Sequence, residues 1–575
     1  MEWDYSDIAS NVEDTITTLK QYIDTLSTVE LSPSMSEQAF TDLLHIQNEY
    51  YTVSSKLGCY VSLRLSANVN DHEARSYQSQ LDTLSVEASE KIMHISHWLK
   101  GLPTEFNVLD DDNAKRLFSV NPQLTYMFTY AREQAKYSLP LESEQIMHAK
   151  DVNGTDALAE LYDVLCNGFE YTVELPDGPK TFKTQQEVVT LVHNPDKNVR
   201  KAAYQALFKP YKKHQKELFI IYNAIVRDWA YERRKRGYNS SMAVRNVANH
   251  LPDKVIDTLL STCREHVHIF QRYFKLKGKL LNENITRYDI YAPLGEQTHI
   301  AYEDGIKQVE NVFGKFSETF RDYAMTIVDG HLDAFPREGK RSGAFCMSVT
   351  PKITPYVLSN YNGTHRDVLT LAHELGHGVH DMYASEQPIE VMHAPLPLCE
   401  TASTFGEMLM FQHFMKTLPD HEKKQLLIQK LGEAYATIIR QTYFVVFEQQ
   451  AHDMLEKGAT VEELSDAYYA LLKEQFGDME IPEEFRYEWA YIPHIYHTPF
   501  YCYAYNFGDL LSLALYGAYE TDPEFMTKLE TILKAGGSRE PVSLLKECGF
   551  DITQKSFWEN SFKVIEGLID QLEQL

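Results

Sequence analysis

Residues 364–378 read THRDVLTLAHELGHG and contain two histidines, His373 and His377, four residues apart. On a helix this spacing places both imidazoles on one face, one turn apart, so that both reach the same metal ion. Glu374 faces the same metal from the side, which suits a general base acting on metal-bound water. The alternative is a helix with two surface histidines and a solvated glutamate.

The residues around the two histidines are typical of a buried helix. Thr364 and Asp367 form a capping-box-like pair after the turn signal Asn362-Gly363. Apolar residues then recur at helical spacing: Val368, Leu371, Ala372, Leu375 and Val379. Gly376 and Gly378 lower helix propensity by about 1 kcal/mol each relative to alanine. Glycine at these positions indicates that another backbone or a substrate approaches closely.

A candidate for the third ligand follows in the chain. Catalytic zinc normally takes three protein ligands and leaves the fourth position to water. Pro388, Pro395 and Pro397 predict a loop, and a second helical pattern begins near Leu398 with Glu400 in its first turn. A helix–loop–helix that returns on itself would bring Glu400 to the two histidines. Glu407 lies on the same face and would accept a hydrogen bond from an imidazole, unless it is an ordinary buried ion-pair carboxylate.

Several motifs together resemble the thimet oligopeptidase family of metallopeptidases, and more closely its oligoendopeptidase F branch. The motifs are His-Glu-Leu-Gly-His, the run Glu-Thr-Ala-Ser-Thr-Phe-x-Glu from Glu400, and the runs at 341–346, 355–364 and 493–505. The resemblance implies that His373, His377 and Glu400 hold one Zn²⁺ ion and that Glu374 is the catalytic base.

The resemblance also implies a fold and an activity. The expected fold is mainly α: a two-lobed helical zincin-type metallopeptidase with a deep substrate channel and a small β element beside the metal site. The expected activity is hydrolysis of internal peptide bonds of short unfolded peptides, with zinc-bound water as the nucleophile. A narrow channel would exclude folded domains.

A dense group of histidines and tyrosines lies at 494–505. The oxyanion formed during attack on a carbonyl needs a hydrogen-bond donor besides the metal, and the resemblance implies that this segment supplies it. Tyr501 and His494 are the first candidates for catalysis, and His497 and Tyr505 follow as substrate-binding residues. The alternative is a buried aromatic helix whose hydroxyls are satisfied.

Residues 343–349 predict a short strand in an otherwise helical region. An edge strand beside the metal of a zincin pairs with the extended backbone of the substrate, which gives affinity without strict sequence preference. Gly343 and Ala344 would keep this strand accessible to a peptide. The alternative is a structural hairpin.

The chain of 575 residues is strongly acidic, with a formal net charge of −27. This charge argues against nucleic-acid or anionic-membrane partners. No apolar run approaches the ~18 residues of a membrane span, and the start lacks the pattern of a secretory signal. Seven scattered cysteines fit reduced thiols. We therefore expect a cytoplasmic enzyme, and the resemblance implies that its partners are short peptides; the sequence does not give its oligomeric state.

Helical periodicity covers almost all of the chain outside 285–300 and 341–364. The specific predictions are helices at 9–31, 36–66, 71–100 and 196–236, and a hairpin with a Pro-Asp-Gly turn at 171–182. The break at Asn194-Pro195-Asp196 predicts an N-terminal helical domain at 1–195 and a catalytic domain at 196–575, and the resemblance implies that the N-terminal domain is a wall or cap of the channel. The basic run at 232–236 favours an ion-paired helix end over a binding patch.

Two rival interpretations remain open. A carboxypeptidase or dipeptidyl-carboxypeptidase of the same zinc class would need a cation near the site to capture a terminal carboxylate. A catalytically dead helical binding protein would not need the complete set of His373, Glu374, His377 and Glu400. Zinc is inferred from the ligand types, and Co²⁺ or Mn²⁺ could occupy the same site.

Overall fold

Helices make up most of the computed structural model, which describes residues 3–9, 11–104, 107–295, 298–519 and 521–575. The strands in this part of the chain are short and form two small sheets. The predicted mainly α fold with a small β element is therefore confirmed.

The α-helices follow one another along the whole chain. The first half of the chain contains α1 (Val12–Ser27), α2 (Glu37–Ala67), α3 (His72–Leu99), α4 (Asp111–Phe118), α5 (Thr125–Glu133), α6 (Leu141–Val152), α7 (Thr155–Asn167), α8 (Gln185–Leu191), α9 (Lys197–Lys213), α10 (Gln215–Arg236), α11 (Ser241–Ala248), α12 (Asp253–Glu265) and α13 (Val267–Leu281). The second half contains α14 (Tyr302–Phe316), α15 (Glu318–Val328), α16 (His365–Tyr383), α17 (Thr401–Thr417), α18 (Asp420–Ala434), α19 (Gln441–Glu456), α20 (Val461–Phe476), α21 (His494–His497), α22 (Tyr503–Tyr519), α23 (Phe525–Ala535), α24 (Pro541–Glu547) and α25 (Lys555–Gln574). A π-helical segment, Tyr435–Arg440, joins α18 to α19.

The strands form a hairpin and a three-stranded sheet. The hairpin pairs β1 (Tyr171–Leu175) with β2 (Gly178–Phe182), with Leu175 opposite Gly178. It confirms the hairpin predicted at 171–182. The sheet consists of β3 (Leu332–Asp333), β4 (Phe345–Met347) and β5 (Tyr356–Leu358) in the order β3-β5-β4, so β4 is an edge strand. Strand β4 runs antiparallel to β5, and β3 runs parallel to it.

The first three helices begin at side chains that cap them. Asn11, Ser36 and Asp71 each accept a hydrogen bond from a backbone N–H in the first turn of α1, α2 and α3, which satisfies a donor that the helix itself leaves free. These helices confirm the predictions at 9–31, 36–66 and 71–100.

The single helix predicted at 196–236 is divided into α9 and α10. His214 separates them with φ −102° and ψ 17°, outside the helical region. Pro210 lies four residues earlier inside α9. Because proline has no N–H and crowds the preceding turn, it weakens a helix at this point, and periodicity alone does not show the break.

The chain forms two compact units, each assembled from three segments. The first unit comprises Met1–Glu142, Gln297–Thr417 and Ala518–Asp551; the second comprises Ser143–Glu296, Leu418–Gly517 and Ile552–Leu575. The expected boundary between residues 195 and 196 lies inside the second unit. The division into an N-terminal helical domain and a catalytic domain stays a prediction.

In the first unit, the N-terminal helices have a core of their own and the chain start is attached to the small sheet. Phe40, Leu57 and Trp98 are among the buried residues of the helical core. Trp3 packs with residues of β5 in a second cluster, and its indole N–H lies 3.0 Å from the carbonyl oxygen of His331 and 3.1 Å from that of Val357. The N-terminal segment therefore helps to hold the sheet that contains β4.

In the second unit, the basic run at 232–236 forms the end of α10 and is ion-paired, as predicted. Arg233 and Arg234 both contact Glu456, with nitrogen–oxygen distances of 3.2 and 2.7 Å. Arg236 contacts Glu144 at 2.7 Å and Glu232 at 3.0 Å.

Two further properties concern the chain as a whole. Among the described helices, none has the length and apolar character needed to cross a membrane. All seven cysteines are free, as expected for reduced thiols.

Candidate metal centre

Two histidines and one glutamate of the first unit converge. His373 and His377 lie on α16, and their Nε2 atoms are 3.3 and 3.4 Å from Oε2 of Glu400. One donor atom from each of the three residues lies within 4.8 Å of the others. Two imidazoles and one carboxylate form the donor set of many catalytic zinc sites, so the geometry and the chemistry of these residues both fit a metal ion.

Helix α16 begins where the sequence predicts. The Thr364 hydroxyl accepts a hydrogen bond from the Asp367 N–H at 3.1 Å, and the Asp367 carboxylate accepts one from the Thr364 N–H at 2.9 Å. This capping box sets the rotation of the helix, which carries His373 and His377 one turn apart.

Helices α16 and α17 touch through their backbones at Gly376. A Cβ atom at this position would lie 2.6 Å from both the carbonyl oxygen of Ala402 and the Cα of Ser403. Only glycine allows such an approach. Gly378 faces Cys346, whose Sγ would be 3.5 Å from an added Cβ. The expectation of a closely approaching backbone is therefore confirmed at Gly376, whereas the neighbours of Gly378 are side chains, the nearest being that of Ile327.

Glu400 reaches the histidines from the residue before α17. The helix begins at Thr401, so Glu400 precedes it and is not in its first turn as predicted. The Thr404 N–H still donates to the Glu400 carbonyl at 3.1 Å. Short 3₁₀ turns at Ile389–Val391 and Leu396–Leu398 occupy the proline-rich loop.

Glu407 and Ser403 hold the converging side chains in place. Nδ1 of His373 lies 3.2 Å from Oε2 of Glu407, and because a carboxylate only accepts, the imidazole N–H donates. This leaves Nε2 as the atom that faces Glu400. The Ser403 hydroxyl donates to Oε2 of Glu400 at 3.0 Å. The sequence prediction did not include Ser403, although its spacing of three residues from Glu400 at a helix start is a signal for such a contact.

The site is electrostatically polarised. Glu374 is only 8% exposed, and burial, reinforced by the charges of Glu400 and Glu407, raises the pKa of its carboxyl to about 7 against the opposing influence of His373. Burial lowers the pKa of His377 to about 4. For Glu400, burial is the largest influence and raises the pKa, but the hydrogen bond from His373 and the charges of both histidines outweigh it and bring the pKa to about 2.

The residue that follows strand β4 is attached to α16 beyond the histidines. The Ser348 hydroxyl donates to Oδ2 of Asp381, and Nδ1 of His393 lies 3.6 Å from Oδ1 of the same carboxylate. Asp381 stands four residues after His377, on the same helix face. Local sequence patterns do not indicate these contacts, because they join distant segments.

Gly343 and Ala344 lie before β4, not in it, because the strand covers only Phe345–Met347. Gly343 has φ +86°, which glycine adopts without strain. Its carbonyl oxygen accepts a hydrogen bond from Nδ2 of Asn360 at 2.8 Å. The two residues lead into an edge strand, and their contact with substrate stays a prediction.

The histidines and tyrosines at 494–505 belong to the second unit and separate into two groups. His494, Tyr501 and Tyr505 form one cluster: Nε2 of His494 lies 3.2 Å from the Tyr505 hydroxyl, and the rings of Tyr501 and Tyr505 are 5.3 Å apart. His497 instead lies 3.0 Å from Asp163. The roles assigned to these residues stay predictions.

The remaining tyrosines of this segment are structural. Tyr496 is buried and stacks on Tyr162 with ring centroids 3.9 Å apart. The buried Tyr503 hydroxyl accepts a hydrogen bond from Nδ2 of Asn249 at 2.7 Å. The alternative of a buried aromatic segment with satisfied hydroxyls therefore holds for Tyr503, whereas the buried Tyr496 hydroxyl has no hydrogen-bond partner among the described residues.

The turn before Tyr501 has an unusual backbone conformation. Phe500 has φ +60°, which is rare for a bulky residue. The buried Glu448 accepts a hydrogen bond from the Phe500 N–H at 2.9 Å, and Nε of Arg245 donates to the Pro499 carbonyl at 3.1 Å. Two side chains from distant helices thus hold this turn.

Comparison with known proteins identifies the family. Residues 190–564 match the family model described as Peptidase family M3, and this range includes all of the converging residues. The chain belongs to peptidase family M3. It is therefore a hydrolase of the metallopeptidase class, and its substrates are peptides.

Relatives of this M3 peptidase extend over its whole length. The chain is 27% identical to the chromosomal oligoendopeptidase F of Lactococcus lactis subsp. cremoris, over 100% of this chain and 97% of that protein. It is 26% identical to the oligopeptidase PepF of Bacillus subtilis, over 97% of this chain and 84% of that protein. The resemblance to the oligoendopeptidase F branch is confirmed.

The fold of the M3 peptidase also matches a solved structure. The oligoendopeptidase-F of Enterococcus faecium superposes with a TM-score of 0.73 at 22% identity, covering 98% of each chain. This likeness supports the fold.

Proposed function

We propose that this M3 peptidase is a zinc-dependent oligoendopeptidase that hydrolyses internal bonds of short unfolded peptides. The observation that carries the proposal is the convergence of His373, His377 and Glu400 with the buried carboxyl of Glu374 on the adjoining position of α16. Oligoendopeptidase F relatives of full length support the endopeptidase assignment.

His373, His377 and Glu400 would hold one Zn²⁺ ion. When bound, zinc supplies a Lewis acid that activates water and polarises the peptide carbonyl. Glu407 fixes the orientation of the His373 imidazole, and Ser403 does the same for the Glu400 carboxylate. Such supporting contacts pre-organise a metal site.

Glu374 would act as the general base. Its carboxylate takes a proton from the attacking water and then passes it to the leaving amine of the cleaved bond. Burial supports this role, because a pKa near 7 lets the same carboxyl both accept and release a proton at neutral pH.

Other residues would bind the substrate. The free edge of β4, reached through Gly343 and Ala344, would pair with the extended peptide backbone. Tyr501 and His494 would stabilise the oxyanion, with Tyr505 and His497 as further substrate contacts; the family resemblance supports these assignments. The proposal includes a cytoplasmic location, with which seven free cysteines agree.

The test combines a chelator, the Glu374→Gln variant and a mixed library of short peptides. We expect mass spectrometry to find internal cleavage by the wild type, no cleavage after chelation, and restoration by Zn²⁺. Glu374→Gln should lower the hydrolysis rate by about 10²–10⁴-fold while elemental analysis still finds one zinc ion per chain.

Three outcomes would contradict the proposal. If the Glu374→Gln variant hydrolysed peptides at the wild-type rate, Glu374 would not be the general base. Full activity after verified removal of the metal would exclude the metal mechanism. Products trimmed one or two residues at a time from free C-termini, with amidated peptides untouched, would favour the carboxypeptidase or dipeptidyl-carboxypeptidase alternative.

A further inference from the structure

Two arginines of the second unit share one carboxylate oxygen. Nη2 of Arg287 lies 2.8 Å from Oε1 of Glu488, and Nη2 of Arg440 lies 3.1 Å from the same atom. The second oxygen, Oε2, accepts a hydrogen bond from the neutral Tyr468 hydroxyl at 3.1 Å. One negative charge therefore faces two positive charges.

This cluster carries a surplus positive charge in a largely buried place. The side chains of Arg287 and Glu488 are only 1% and 2% exposed. Among the described residues, Glu488 is the acidic residue that forms ion pairs with Arg287 and Arg440. A cation without a full counter-charge is costly away from water, so an anion bound here would relieve the imbalance.

Arg440 is the member of the pair that a ligand can reach. Its side chain is 22% exposed. Its Nε is buried and has no hydrogen-bond partner within the described part of the chain, and Nη1 has only a long contact of 3.4 Å with the Tyr291 hydroxyl. Because a buried Nε is out of a ligand's reach, Nη1 is the donor that remains for an acceptor such as a carboxylate.

The backbone around Arg440 is also unusual. The residue ends the π-helical segment Tyr435–Arg440 between α18 and α19. Such segments are rare and occur frequently at functional sites. Arg440, which is partly exposed, is the last residue of this segment.

Arg440 also lies in the electrostatic neighbourhood of His494. Burial lowers the pKa of His494, and the positive charge of Arg440 lowers it further. His494 in turn shares a hydrogen bond with Tyr505. The positive charge of Arg440 therefore acts on His494, which the proposed function assigns to substrate contact.

We propose that Arg440 binds a carboxylate of the peptide substrate, either the C-terminal carboxylate or the side chain of an aspartate or glutamate. The inference rests on the proposed peptide hydrolysis for its biological meaning, but the binding itself can be measured without catalysis. A guanidinium whose Nη1 has only a long contact with Tyr291 suits a charge-assisted hydrogen bond to a carboxylate.

The test uses one short peptide in four labelled forms: with glutamate or glutamine inside, and with a free or amidated C-terminus. Binding is measured by fluorescence anisotropy on zinc-loaded protein carrying Glu374→Gln, and mass spectrometry checks that the peptides stay intact. We expect at least one carboxylate form to bind about tenfold more tightly than the fully neutral form. Adding Arg440→Gln should reduce this preference to less than about twofold and leave the neutral peptide unaffected.

The four forms identify the source of the carboxylate. If amidation of the C-terminus abolishes the tighter binding, Arg440 binds the C-terminal carboxylate. If exchange of glutamate for glutamine abolishes it, Arg440 binds the carboxylate of a side chain. Arg440→Lys keeps the charge without the planar fork, so it should retain an intermediate preference; it also provides a test if Arg440→Gln does not fold.

Arg234→Gln is the matched control, because Arg234 is 54% exposed and already paired with Glu456. It should leave the preference intact. The inference is overturned if Arg440→Gln weakens all four forms equally, as a structural role would, or if the preference is absent or persists in the variant. Hydrolysis of the peptides by the Glu374→Gln protein would refute the proposed base and not the carboxylate site.

Discussion

The orientation of the His373 imidazole depends on Glu407, which accepts a hydrogen bond from Nδ1. We expect Glu407→Ala to lower zinc affinity by about 10–100-fold, because the ring loses the partner that fixes its tautomer and direction. Competition with a chromogenic chelator would measure the change. Glu386→Ala, at an exposed position of the same unit, should leave the affinity unchanged; equal affinities in both variants would contradict the role of Glu407.

Glu448 should make the free energy of unfolding depend on pH. Burial raises its pKa from 4.5 to about 8 in the folded protein, so the folded state binds its proton more tightly than the unfolded state does. The resulting stabilisation is complete below about pH 4.5 and is lost as the pH rises through about 8. Between these two pH values the free energy of unfolding of the wild type should fall by on the order of a few kcal/mol because of this group.

Glu448→Gln offers the direct measurement. Glutamine can accept the same hydrogen bond from the Phe500 N–H but has no proton to lose. We expect the melting temperature of the variant, relative to the wild type, to rise between pH 5 and about pH 8 and to level off above that pH. A difference that does not change with pH would show that Glu448 is already ionised when folded.

At the level of helices, Gly376 determines how closely α16 and α17 approach. Gly376→Ala should destabilise the protein by about 1–3 kcal/mol, because the added methyl group meets backbone atoms that cannot move independently. It should also weaken zinc binding, since Glu400 directly precedes α17. Denaturant unfolding and metal titration would measure both effects.

Gly567→Ala in α25 is the control for this change. Nothing lies within 4 Å of its added Cβ, so alanine should stabilise that helix by about 0.5–1 kcal/mol. If both variants gained stability, the close contact at Gly376 would be refuted.

If β4 pairs with the substrate, KM should depend on the hydrogen-bonding groups of the peptide backbone. If a peptide adds to this edge, methylation of one of its backbone nitrogens removes a donor and introduces a clash. We expect KM to rise strongly for peptides methylated at alternate positions and weakly at the positions between them. A uniform response along the peptide would argue against strand pairing.

For the molecule as a whole, metal binding should be visible as stability. An ion that binds only the folded chain adds about 4 kcal/mol when its free concentration is a thousand times its Kd. We therefore expect a chelator to lower the melting temperature by several degrees and Zn²⁺ to restore it. His377→Ala should melt at the same temperature with and without chelator; a chelator effect of full size in this variant would place the stabilising ion elsewhere.

Much of the fold and part of the candidate site were predictable because their signals are local. The spacing of His373 and His377, the cap at Thr364 and the helical pattern after the prolines each extend over a few residues. The contact of Asp381 with Ser348, the attachment of Phe500 to Glu448 and the pairing of Arg440 with Glu488 join residues that are far apart in sequence. Nothing in local periodicity reports such contacts, and the three-segment composition of each unit escaped prediction for the same reason.

The capping box, both histidines, Glu400, Ser403 and Glu407 all come from residues 364–407. This low sequence separation has a consequence for biosynthesis. Loops that close over short distances form early and rapidly, and domains begin to fold while the ribosome is still extending the chain. The proposed metal ligands are therefore all present in the chain before the residues after Glu407 exist, whereas the unit that holds them is complete only when Ala518–Asp551 has been made.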